Sequence, residues 1–231
     1  MRRKTHAQLL AGMVVLFELH VLVSGTGPFP AAPTGWKRAT TVTTTGVCRV
    51  QNMYTSHVNA TSVLGAMGRV SQLEPFLKEH AMTLTRVKIE RLFTPDSSDA
   101  PQAVSGTEYL EAHIKFADVA PGRFEQLAME CLSHGVQMLI NPLSTSPLPV
   151  TTLRMYNTSL QKFLQTHDSV VRAVSRVATI QRVHLEHGVV DTNPMTDEGW
   201  LFPRNGNFQA SITNVDILER LICPSIMLHT G

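Results

Sequence analysis

The sequence predicts an α+β fold: a ferredoxin-like split βαβ antiparallel sheet with helices on one face, then a C-terminal α-β-α extension. Two observations predict it. The segments Thr83–Leu92 and Glu108–Phe116 alternate apolar and polar residues, the pattern of a sheet packed on one side and wet on the other. Around them lie segments with apolar residues at helical spacing, so strands and helices follow one another as β-α-β-β-α-β. Hydrophobic residues make up 43% and charged residues 16% of 231, the composition of a globular chain with a sizeable core.

The elements follow in order. Val47–Val58, with β-branched and aromatic residues, reads as the first strand. Ser71-Gln72-Leu73-Glu74 has the form of a capping box and opens a short helix to about His80, with Leu73, Phe76 and Leu77 on its apolar side. In the Thr83–Leu92 strand, Thr85, Val87 and Ile89 face one way and Arg86, Lys88 and Glu90 the other. In the Glu108–Phe116 strand, Leu110, Ala112, Ile114 and Phe116 oppose Tyr109, Glu111, His113 and Lys115. Pro121-Gly122 introduces a second helix that ends at Gly135, and Val136–Ile140 and Val150–Tyr156 are strands. A third helix is expected over Ser159–Val177, a strand over Thr179–Val190, a polar loop over Asp191–Gly206 and a terminal helix over Val215–Ile222.

Before this domain, placed at residues 47–231, the sequence suggests two other regions. Residues 1–25 begin with Arg2, Arg3 and Lys4 and continue with an apolar stretch from Leu9 to Val23, the order of a secretory signal or a signal anchor. Glu18 and His20 interrupt that stretch. The basic, Thr-rich and acid-poor composition up to Gly46 equally fits an organellar transit peptide, and a buried terminal helix is the third reading. Residues 26–46, rich in Pro, Gly and Thr, read as a linker. The expected location is thus the secretory pathway or a membrane anchorage through the N-terminal segment, with an organelle as the alternative. Asn59 and Asn157 head glycosylation sequons that matter only on the secretory route.

A net charge of +2 without a long basic run argues against nucleic acid as a partner. Cys48, Cys131 and Cys223 are odd in number and widely spaced, with no C-x-x-C pair, which disfavours a cysteine metal site or redox dithiol. No nucleophile elbow, P-loop or G-x-G-x-x-G is present.

Tyr109-Leu110-Glu111-Ala112-His113-Ile114-Lys115 resembles a Y-[FL]-E-x-H-[IV]-K strand. Glu186 to Asn193, with Asp197-Glu198-Gly199-Trp200, resembles an E-x-x-V-x-D-[ST]-N-x-x-x-D-x-G-W pattern. Together they resemble a family of uncharacterised proteins, which implies a domain unit over about residues 70 to 201 and no activity.

Two constellations can carry chemistry. On the polar sheet face, Tyr109, Lys115, Arg154 and Tyr156 are the candidate ligand-binding residues, because Arg154 can clamp a carboxylate or phosphate. Glu111 and His113 beside them are the candidates for acid–base work. The plainer reading is a solvated face with cross-strand ion pairs. The second constellation is His184, His187, Asp191 and Asp197, candidate ligands for a divalent metal, against the plainer reading of a turn whose side chains cap local amides. No other cofactor is predicted. The leading expectation is a binding module that holds an anionic small molecule or peptide. An acid–base or metal-assisted enzyme, and a structural subunit without a site, are the alternatives.

Overall fold

The computed structural model describes residues 14–43, 48–119, 121–143 and 148–197. The fold is α+β, with one antiparallel sheet of eight strands closed into a barrel. The strands are β1 (Val15–Ser24), β2 (Lys37–Thr43), β3 (Val50–Ala60), β4 (Thr83–Leu92), β5 (Ala103–Asp118), β6 (Gln137–Ile140), β7 (Val150–Ser159) and β8 (Thr179–Asp191). Around the barrel they run β1-β3-β2-β6-β7-β5-β8-β4, and β4 pairs with β1 to close the ring. The helices are α1 (Val63–Ser71), α2 (Glu74–Glu79), α3 (Phe124–Ser133) and α4 (Leu160–Val174).

Closure decides where the core lies. Alternate side chains of each strand point outward, and the helices cover that outer apolar surface in two separate clusters. One cluster joins Phe17, Leu19, Val21, Tyr54, Val87 and Ile89 with Ala66, Val70 and Leu77 of α1 and α2. The other joins Leu110, Ala112, Ile114, Phe116 and Leu153 with Leu127, Cys131, Phe163 and Val170 of α3 and α4. Both polar and apolar positions are therefore buried, the apolar ones under helices and the polar ones inside the ring.

Several expectations change. The elements from 47 to 140 do not form a sheet of their own, because β4 pairs with β1 and β8 whereas β5 pairs with β7 and β8. Val15–Ser24, expected as a targeting or anchoring segment, is β1, hydrogen-bonded along both edges to β3 and β4. Its apolar run is a period-two pattern in which Phe17, Leu19, Val21 and Val23 are buried outward and Glu18 and His20 point into the barrel. Lys37–Thr43, expected as linker, is β2, and Trp36 before it is buried. The Ser71 capping box does not form, since Ser71 is the last residue of α1. Ser62 caps α1 instead, accepting from the Gly65 amide, while α2 starts after Leu73 with no side-chain cap. The helix expected at Ser159 is α4, with the Ser159 hydroxyl accepting from the Lys162 amide. The terminal helix expected at 215–222 lies outside the described residues. Among the described residues no helix is long and apolar enough to cross a membrane.

Candidate functional site

The polar face foreseen on an open sheet is the barrel lumen. It encloses a cavity of about 340 Å³ lined by, among others, Glu18, His20, Arg86, Glu111, His113 and Arg154. Period two puts these side chains inside, and the strand register decides which of them meet.

One end is held by a closed charge network. The Arg86 guanidinium donates through Nε and Nη2 to Asp191, at 2.8 and 2.5 Å, and through Nη1 and Nη2 to Asp197, at 2.8 and 2.7 Å. Asp197 arrives on a single 3-10 turn, Pro194–Asp197, and also accepts from Arg154 Nη1 at 2.8 Å and Gln51 Nε2 at 3.2 Å. Arg154 stands directly opposite Glu111 across β5 and β7 and donates to it through Nε. Each of these arginine and acid side chains is 1% exposed. Burial disfavours charge on Asp197, yet the Arg154 and Arg86 guanidinium groups outweigh it and hold its carboxyl below the usual range. Burial likewise acts against Glu111, and Arg154, Lys88 and His113 together hold it well down.

A second network surrounds Glu90. Its carboxylate accepts from the Tyr109 hydroxyl at 2.8 Å and faces Lys88 Nζ at 2.7 Å and His20 Nε2 at 3.0 Å. Burial lowers the basicity of His20, but Glu90, by hydrogen bond and charge, and Glu18 reverse this and raise its pKa. Arg154 lies over the Tyr109 ring at 4.1 Å, and Tyr156 packs on that ring with centroids 5.3 Å apart.

The β5–β8 register contains the most unusual feature. Along this pair Glu111 faces Glu186, His113 faces His184 and Lys115 faces Arg182. Two of these three pairs set like charges directly opposite, an arrangement that costs on the order of 0.5 kcal/mol without a counter-charge. Burial and the charge of Glu90 raise the Glu186 pKa, although His113 works against them. Burial, followed by the Arg182 charge, lowers that of His184.

The structure thus brings Tyr109, Glu111, Arg154 and Tyr156 together, with His113 and Lys115 further along the same wall of the lumen. It does not bring together the four expected metal ligands. His184 faces the lumen, while His187 lies on the other side of β8 and pairs with Glu108 at 3.0 Å. Asp191 and Asp197 are both bound to Arg86. A different group can hold a metal: Glu111, His113 and Glu186, whose donor atoms lie within 4.8 Å of one another. Asp191 also accepts from the Asn193 amide at 3.2 Å, the local capping that an Asp/Asn-rich turn makes. Glu18, His20, Arg182 and Glu186 escaped the list of candidate residues. The first two carried a signal, their period-two alternation with Phe17, Leu19 and Val21. The chain matches no model of a known protein family and no curated protein.

Proposed function

We propose that this chain is a binding barrel that holds a small anionic molecule at one mouth of its lumen. The observation that carries this reading is the pair Lys115 and Arg182. The two cations stand directly opposite each other, both line the cavity, and neither has a carboxylate within ion-pair distance among the described residues. Every other lysine or arginine that lines the lumen is matched by buried acids. An anion bridging Lys115 and Arg182 turns a repulsive pair into an attractive one, and neutral His184 beside them offers a further hydrogen bond. We read the frame as two four-stranded halves joined edge to edge, the second a split βαβ unit and the first without a helix between β1 and β2. The second half runs β5-α3-β6-β7-α4-β8 with its strands ordered β8-β5-β7-β6, and the first has the matching order β4-β1-β3-β2.

Titration calorimetry with inorganic phosphate and with oxalate tests the reading. Saturable binding that weakens with salt and falls about tenfold or more in Lys115→Gln and Arg182→Gln is expected. Both variants should fold, because each removes one of two opposed like charges. Binding of neither anion, or equal binding in the variants, would reject the proposal.

A further inference from the structure

The opposite pair on the same two strands, Glu111 and Glu186, calls for a cation. We propose that Glu111, Glu186 and His113 form a binding site for a divalent first-row metal ion such as Mn²⁺. Both carboxylates are 1% exposed, so their charges are hidden from water. Glu111 Oε1 and Glu186 Oε2 are both buried and both turned toward His113 Nε2, whose one N–H cannot fully satisfy two carboxylates, and a buried carboxylate oxygen left short of partners is costly. Their nearest charged neighbours are His113 Nε2, at 3.0 and 3.4 Å, and Lys88 Nζ, 3.5 Å from Glu111 Oε1.

The spacing fits coordination. With metal–donor bonds of about 2.1 Å, neighbouring donors around one ion lie about 3 Å apart. The two separations from His113 Nε2 fall at this value. The imidazole is also set for the task from behind. Its Nδ1 lies 2.9 Å from the Thr152 hydroxyl, which stands directly opposite on β7. With Nδ1–H donated to Thr152, a metal ion that displaces the Nε2 proton meets an imidazole already oriented toward the carboxylates, the outer-shell arrangement that orients histidine ligands. Glu111 is braced in the same way, since its other oxygen accepts from Arg154. Two oxygens and one nitrogen suit Mn²⁺, and Glu111 and His113 line the cavity, which leaves room for water or a ligand atom to complete the shell.

Mn²⁺ titrated into the full chain in chloride buffer, followed by the electron paramagnetic resonance signal of the free ion, tests the site. Wild-type protein should take up a single ion. Glu186→Gln, which removes a ligand, and Thr152→Val, which keeps all three ligands and removes only the brace, should each weaken uptake about tenfold or more. Far-UV circular dichroism and the denaturation midpoint serve as controls for folding. Should Glu186→Gln not fold, Thr152→Val alone decides. Failure of Mn²⁺ to bind below millimolar concentrations, or equal binding in wild type and a folded variant, overturns the proposal and leaves His113 as the sole bridge between the carboxylates. The titration contains no phosphate or oxalate, so its outcome and that of the anion experiment at Lys115 and Arg182 are read separately.

Discussion

Arg86 shows why single charges matter so much in this lumen. Its guanidinium satisfies Asp191 and Asp197 together at 1% exposure, so removing it leaves two carboxylates buried with one fewer cation. Breaking a buried pair in this way costs about 3–5 kcal/mol, and Arg86→Met should lower denaturant stability by that amount. Gly188 is constrained by packing. A Cβ there would come within 2.2 to 2.5 Å of Tyr109 ring atoms, so Gly188→Ala should destabilise by about 1–3 kcal/mol in the same assay. The pH dependence follows from the same residues. Glu90, Glu111 and Asp197 are held below their ordinary values and Glu186 above, so the balance favours stability that is lost as pH falls through the lowered values. His20 is raised above 6.5, so its contribution is complete below that value and fades as pH rises through the raised one. Thermal midpoints measured against pH should show the alkaline loss in wild type and less of it in His20→Asn.

At the scale of elements, a serine hydroxyl caps only where it stands just ahead of a helix whose first amides are free. Ser159 and Ser62 both cap, but Ser71 is the last residue of α1, where the free backbone groups are carbonyls and not amides. Ser62→Ala should therefore cost about 1 kcal/mol, whereas Ser71→Ala at an exposed position should leave the denaturation midpoint unchanged. His187 follows His184 by three positions along β8, an odd step that sends the two rings to opposite sides of the barrel wall. No cluster that needs both can form while that segment is extended.

For the whole molecule, closure is the decisive property. β1 bridges β3 and β4, so a chain that begins at residue 26 loses one wall of the lumen and the outward residues Phe17, Leu19 and Val21 of one core. It also exposes two long strand edges that have lost their partner. Such a shortened chain should show no cooperative unfolding transition by circular dichroism, and a native-like transition would show that β1 is dispensable. Closure also explains the like-charge pairs. In an open sheet water would screen Glu111 from Glu186, but in a ring both must be answered from inside.

The sequence by itself determined the α+β class, the positions of β4, β5, β7, β8 and α4, and the sharing of one face by Tyr109, Glu111, His113 and Lys115, because these depend on periods of 2 and 3.6. Alternation says that two sets of side chains face opposite ways and is silent on which set meets water. Only the tertiary structure decided that the polar set lies inside a closed barrel. It alone joined residues far apart in the chain, such as Arg86 with Asp197 and Glu111 with Glu186. The physical reason is that strand register and ring closure are set by pairing between distant segments, and no local pattern encodes which partner a strand will find.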